Sequence, residues 1–355
     1  MRKKLVLATG EVFYGNGFGS DKEVIAELVF ETSMVGYQEI LSEPAYAHQM
    51  VCMSYPLIGN YGLTDEDYES KSINLKAMIV REYNDKPSNF RFTRTLDEVM
   101  KENDVVGICD CDTRSIVKHI RDNGVVNAMI CDIEKPMEEC LEALSKYSKE
   151  DNLVEYVSTK RVAHSRTPNP SHTVVCIDCG LRTSTIKKLN GYGCNVVAVP
   201  YKTSAEEIMR FKPDGLLISN GPGNPNSLTV VVETIKELKG KLPILAIGLG
   251  LSLVGLSYGA KVEKMAVGHH GSNIAIKNIN TKRVQISNQN HLYNVVKDSV
   301  KDLVITHYDL VNGEVEGLSN ENDKVIAVNY NPEFIEVNDD YDVVDKFIKL
   351  MEGGH

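Results

Sequence analysis

The sequence predicts an α/β protein in two parts: a strand-rich α/β domain at the N-terminal side, then a C-terminal domain built on an open, mainly parallel sheet with helices on both faces. Three observations lead there. From residue 173 onward, short and wholly apolar segments alternate with helical ones, the pattern of a parallel sheet buried on both sides. Up to residue 156 the chain carries short β-branched runs separated by turn residues. Between the two, residues 157–172 lose all apolar periodicity, and Pro168 and Pro170 mark a linker. The expected boundaries are therefore 1–156, 157–172 and 173–355.

In the first part, Lys4–Thr9, Ile25–Phe30, Met50–Ser54 and Ala77–Val80 read as strands. Residues 113–121 place Ile116, Val117 and Ile120 at helical spacing behind an Asp112/Thr113 cap, and 138–147 reads as a second helix. In the second part the order is strand Thr173–Ile177, helix Ser184–Asn190, strand Asn195–Pro200, helix Ala205–Phe211, strand Gly215–Ser219, helix Leu228–Leu238 and strand Ile244–Ile247. Ligands of such sheets sit at the carboxyl ends of the strands, so the tips Asp178-Cys-Gly180, Ser219-Asn-Gly-Pro-Gly223 and Gly248-Leu-Gly250 are where chemistry is expected.

Composition narrows the function. With 49 acidic against 39 basic residues the net charge is -10, which argues against a general affinity for nucleic acid. No stretch approaches the roughly 18 to 20 apolar residues of a membrane span, and the apolar run after Lys4 is too short for a signal peptide, so a cytoplasmic protein without membrane attachment is expected. The 8 cysteines do not form a disulfide scaffold in a chain of this size. Cys176-Ile-Asp-Cys179 lacks a second pair at zinc-finger spacing, and Cys109-Asp-Cys111 is too tight for a half-site, so all are expected reduced. His269-His270 sits on a strand, where neighbours point to opposite faces, and no Asp, Glu or His partner stands at ligand spacing. No metal site is expected. Gly221-Pro-Gly-Asn-Pro225 has neither the Gly-Lys-Ser/Thr of a phosphate loop nor a dinucleotide GxGxxG.

Several motifs run through the chain in order. Ser219-Asn-Gly-Pro-Gly-Asn-Pro225, followed by Pro243-Ile-Leu-Ala-Ile-Gly-Leu-Gly250, resembles the class I glutamine amidotransferases. Phe30-Glu-Thr-Ser-Met-Val-Gly-Tyr-Gln-Glu-Ile-Leu41, Tyr55-Pro-Leu-Ile-Gly-Asn60, Asp112-Thr-Arg114 and Gly268-His-His-Gly-Ser-Asn273 narrow this to the small subunit of carbamoyl phosphate synthetase. The resemblance implies glutamine hydrolysis, with ammonia passed to a large subunit that makes carbamoyl phosphate from bicarbonate and two ATP. It implies the large subunit as partner, allows higher oligomers of that heterodimer, and places ATP and Mg on the large subunit, leaving no cofactor in this chain.

Amide hydrolysis of this kind needs a thiolate at a helix N-terminus, a His to carry the proton, a carboxylate to orient the His, and backbone N–H groups aimed at the oxyanion. The family's elbow reads Cys-Leu-Gly-His-Gln; this sequence has Gly248, Leu249, Gly250, Leu251 and Ser252. The family's His-Pro-Glu stands as Asn331-Pro332-Glu333, so the carboxylate is kept and the base is not. Asparagine cannot cycle a proton near neutral pH. The glutamine pocket departs as well: Ala45 replaces a hydroxyl, and the family's Gln-Asn-His-Gly-Phe appears as Gln289-Asn290-His291-Leu292-Tyr293. The loop glycines Gly221 and Gly223 are retained.

A single engineered Cys change would alter one position, whereas Gly248, Leu251, Ser252, Asn331, Ala45 and Leu292 all depart together. The first reading is accordingly a small subunit without glutaminase activity that binds and regulates an ammonia-using large subunit. A working glutaminase with another nucleophile and a free-standing scaffold are the alternatives. Ser252 lies one turn into the helix, the wrong place for attack at the elbow.

Overall fold

In the computed structural model, residues 1–335 and 342–353 are described. The chain divides into two units, Met1–Glu150 and Asp151–His355.

The first unit contains strands β1 (Arg2–Leu7), β2 (Val12–Gly19), β3 (Val24–Glu31), β4 (Gln49–Met53), β5 (Leu57–Ile58), β6 (Ala77–Ile79), β7 (Glu82–Tyr83), β8 (Val106–Cys109) and β9 (Val126–Asp132). Helices α1 (Tyr37–Ser42), α2 (Leu96–Glu102), α3 (Thr113–Asn123) and α4 (Met137–Lys146) accompany them. Seven strands close a barrel in the order β1-β2-β8-β6-β4-β3-β9, sealed by the antiparallel β9–β1 pair. Its local signals are those of the sequence. Asp112 caps α3 by accepting from the Ser115 amide at 3.1 Å, and Thr95 and Glu98 form a reciprocal capping box on α2. The Lys3 amine is buried and donates to the carbonyls of Ser20 and Lys22, both at 3.2 Å, and burial lowers its pKa.

The second unit contains helices α5 (Val154–Val157), α6 (Thr183–Gly191), α7 (Ala205–Arg210), α8 (Thr229–Leu238), α9 (Leu249–Ser257) and α10 (Val343–Glu352). Its strands are β10 (Ala163–Ser165), β11 (His172–Asp178), β12 (Cys194–Pro200), β13 (Gly215–Ile218), β14 (Ile244–Ile247), β15 (Val262–Asn278), β16 (Val284–Val295), β17 (Val304–Asp309), β18 (Val315–Asn320) and β19 (Val325–Val328). They form one sheet in the order β10-β12-β11-β13-β14-β19-β18-β17-β15-β16. From β12 to β19 all pairs are parallel, as expected. Successive residues explain the apolar runs: Val175 and Ile177 pack into one core, Val174 and Cys176 into the other. Leu216 and Ile218 divide from Leu217 in the same way, and Ile244 and Ala246 from Leu245 and Ile247. Residues of α7, α8 and α9 cover the first face, those of α6 and α10 the second.

Two features differ from the sequence reading. β18, β17, β15 and β16 extend the parallel core as an antiparallel half-sheet. The linker also contributes: β10, inside residues 157–172, pairs antiparallel with β12. A three-residue edge strand with exposed Ala163 and His164 carries no apolar alternation, because its backbone bonds rather than its side chains hold it.

His307 on β17 is 4% exposed, its Nε2 3.2 Å from Asn278 Nδ2 and its ring edge-on to Tyr330. Burial, then the charge of Lys346, lowers its pKa to about 4. A depressed folded-state pKa contributes stability that is present above the unfolded value of about 6.5 and is lost as pH falls toward 4. The expected loss is about 3 kcal/mol. Urea midpoints measured from pH 7 to 4 should fall more steeply for the native chain than for His307→Gln.

Candidate functional site

The elbow predicted at residue 248 is built as a strand–turn–helix. β14 ends at Ile247, α9 begins at Leu249, and Gly248 between them has φ 56° and ψ −114°. Its amide donates to the Val328 carbonyl at 2.8 Å, and its carbonyl accepts from the Leu251 amide at 2.9 Å. A Cβ at this position would meet Asn220 Cβ at 3.1 Å in a backbone region that residues with side chains rarely adopt. Gly248→Ala should therefore destabilise the chain by about 1–3 kcal/mol, read as a lower urea midpoint with an unchanged slope. A neutral or stabilising effect would remove strain as the reason for glycine here.

The neighbouring strand tips are tied together. Asp178 Oδ1 accepts from the amides of Gly180 at 2.9 Å and Leu181 at 2.8 Å, and Oδ2 from Thr159 at 2.8 Å. Burial raises the Asp178 pKa while these amides oppose the shift. Ser219 Oγ accepts from the Cys179 amide at 2.9 Å. Gly221 then passes so close to the Cys179 carbonyl that a Cβ would stand 2.0 Å from its oxygen, and Leu249 packs beside it. Gly223 follows in the same loop, and the Asn224 amide reaches the Asp151 carbonyl at 3.1 Å.

Asn331 and Glu333 follow β19. The Asn331 amide group donates to Asn288 Oδ1 at 2.8 Å and its backbone N–H to the Asn288 carbonyl at 2.9 Å, joining this segment to β16. Glu333 Oε1 accepts from Thr185 Oγ1 at 2.7 Å and from Ser184 Oγ and Arg182 Nη1 at 3.2 Å each. The carboxylate thus meets the start of α6, an anchoring role. Arg182 and Thr185 escaped sequence reasoning; the signal was an Arg two residues past a strand tip, leading a Thr-Ser-Thr helix start.

Ser252 is 1% exposed inside α9. Leu292 is buried with its Cδ1 near Gly268, and Tyr293 packs on the core cluster that holds Leu249 and Leu251. Asn290 Oδ1 lies 2.7 Å from His270 Nδ1. Ala45 belongs to the first unit, where its amide donates to Glu43 Oε1 at 3.2 Å. The cysteines of the second unit, Cys176, Cys179 and Cys194, are fully buried, and burial raises all three thiol pKa values.

The elbow, the Gly221–Gly223 loop and the doubly covered parallel sheet define a class I glutamine amidotransferase domain, and residues 175–350 match the family described as Glutamine amidotransferase class-I. Residues 5–130 match Carbamoyl-phosphate synthase small chain, CPSase domain. The carbamoyl phosphate synthase pyrimidine-specific small chain of Halalkalibacterium halodurans is 41% identical, covering 99% of this chain and 98% of its own length. The small chain of Fusobacterium nucleatum subsp. nucleatum is 40% identical over the same shares. That of Staphylococcus epidermidis is 40% identical, over 99% of this chain and 96% of its own. The chain belongs to the carbamoyl-phosphate synthase small-chain family. Among the described residues no helix is long and apolar enough to cross a membrane.

Proposed function

We propose that this chain is a carbamoyl phosphate synthase small subunit that no longer hydrolyses glutamine. On this reading it serves as the structural and regulatory partner of a cytoplasmic large subunit that draws on free ammonia, and ATP and Mg belong to that subunit. The carrying observation is glycine at the apex of the elbow, at positive φ and with no sulfur to attack an amide. The Asn331 amide, bonded to Asn288, supports the same reading, since an amide neither accepts nor releases a proton near neutral pH.

The competing reading is a working glutaminase with a displaced nucleophile. Cys179 has its carbonyl against Gly221, but it is 0% exposed and burial raises its pKa, the opposite of what a nucleophile needs. Mass spectrometry after incubation with a glutamine-analogue alkylator should find no adduct in residues 151–355. An adduct on Cys179 would favour the competing reading. In size-exclusion chromatography at micromolar concentration the chain should co-elute with the cognate large subunit; separate peaks would leave the scaffold alternative standing.

A further inference from the structure

The antiparallel half-sheet holds a buried polar cluster that takes in Gln289 and His291 of the segment matched to the family's glutamine pocket. The sequence reading gave His269 no partner at ligand spacing; the fold supplies partners from two other strands. His269 on β15 faces His291 on β16 across the ladder, and Glu316 arrives from β18. One ring nitrogen from each His and a Glu316 oxygen lie within 4.8 Å of one another. Gln289 adds a fourth atom: its Oε1 is 2.9 Å from His269 Nδ1 and 3.0 Å from His291 Nε2. Glu316 and Gln289 are 0% exposed.

Hydrogen-bond accounting leaves this centre one cation short. Gln289 Nε2 donates to Ser287 Oγ, whose own proton goes to the Ile274 carbonyl, and this orientation points Oε1 inward. His291 Nδ1 lies 3.2 Å from the Tyr293 carbonyl, which only accepts, so the proton of the neutral ring is on Nδ1. Its Nε2 lone pair then faces Gln289 Oε1 and, at 3.9 Å, Glu316 Oε2. Glu316 Oε1 faces His269 Nδ1 at 3.2 Å, and Oε2 has no hydrogen-bond partner. Several lone pairs converge in a buried space, an arrangement that ordinary packing penalises.

We propose that His269 Nδ1, His291 Nε2, the Glu316 carboxylate and Gln289 Oε1 bind one divalent transition-metal ion of the zinc type. Zinc–ligand distances of about 2.0–2.1 Å place tetrahedral donor atoms about 3.3 Å apart. The observed separations of 2.9, 3.0, 3.2 and 3.9 Å bracket that value. The outer contacts fit as well, because metal-binding imidazoles direct their second nitrogen to an acceptor. His291 has the Tyr293 carbonyl, and His269 Nε2 faces Glu314 Oε2 at 3.4 Å, a buried oxygen without a hydrogen-bond partner.

The rival occupant is a proton on His269 Nδ1. Burial disfavours it, but Glu316 together with Gln289 and Asp309 outweighs burial and raises the His269 pKa to about 9; Asn312 Nδ2, 3.2 Å from Nε2, favours the same tautomer. That proton satisfies His269 and one oxygen yet leaves His291 Nε2 against Gln289 Oε1. The ion would accept a lone pair from each of the four donors. It would also pin the register of β16, whose alternate residues Asn290 and Leu292 stand on the opposite face.

The test is a zinc and cobalt titration of the full-length chain, stripped with a chelator and freed of it by gel filtration. Expected are about one equivalent of zinc retained at micromolar concentration and visible d–d bands of tetrahedral cobalt. His291→Gln and Glu316→Gln should each weaken binding by at least about 100-fold. If a variant does not fold, an anomalous-scattering peak between the four residues in zinc-grown crystals of the unaltered chain decides. No binding by the native chain, or binding with thiolate-to-cobalt charge transfer that both variants keep, would overturn the proposal. The first outcome would assign the centre to a proton, the second would move the metal to the cysteines.

Discussion

Carbamoyl phosphate synthesis by this chain, reconstituted with its cognate large subunit, should proceed on ammonium salts and stay near background on glutamine. A thioester intermediate needs sulfur at position 248, and Gly248 has no side chain. The leaving ammonia needs a proton donor at 331, where the Asn331 amide group is bonded to Asn288. Nucleophile and base act as a unit, so losing both removes roughly six powers of ten in rate, which no residual binding restores. Gly248→Cys alone should not recover activity, because the relay stays broken and the new Cβ would crowd Asn220 Cβ at 3.1 Å. Initial rates at matched ammonium and glutamine concentrations decide. Glutamine-supported synthesis that saturates at physiological glutamine would overturn the reading.

The second large effect concerns the retained carboxylate. Arg182 and Glu333 form an ion pair at 3.2 Å with side chains 3% and 5% exposed. Arg182→Met strands a buried carboxylate with only hydroxyl donors from Ser184 and Thr185, and removing one partner of such a pair costs about 3–5 kcal/mol. The double variant Arg182→Met/Glu333→Gln should recover part of that, since it removes the stranded Glu333 charge. Denaturant unfolding of the two variants checks this directly. If Arg182→Met unfolds like the native chain, Glu333 is not the anchor of α6.

Most of the parallel half was legible because both faces are buried, so its strands are unbroken apolar runs: residues 244–247 were read with both ends in place. α3 was read from its Asp112 cap and its apolar spacing. The antiparallel half was opaque for the opposite reason. β15 mixes buried and exposed residues without a clean period of two, because register shifts interrupt it between Lys264 and His269 and again between Gly271 and Ile274. Departures at 248 and 331 were visible as letters, but their meaning for Glu333 was not. The bond from Glu333 to Arg182 spans 151 positions, and no local pattern encodes it. The His269–His291–Glu316 grouping was missed on the same account: its members come from three strands, and only the fold places them together.

The position of β19 has a consequence during translation. This strand lies between β14 and β18, and its Val328 carbonyl holds the Gly248 amide. A growing chain emerging from the ribosome completes β14 and α9 long before residues 325–328 exist. At synthesis rates of about 5–20 residues per second, the intervening stretch of roughly 80 residues leaves the β14 edge open for roughly 4–16 seconds. That edge is wholly apolar on both faces and unpaired along its backbone, the surface that holdase chaperones bind and that neighbouring nascent chains can add to. Yield of this protein in the cell should therefore depend on how quickly the last stretch of message is read, and synonymous slow codons placed shortly before the β19 codons should lower it.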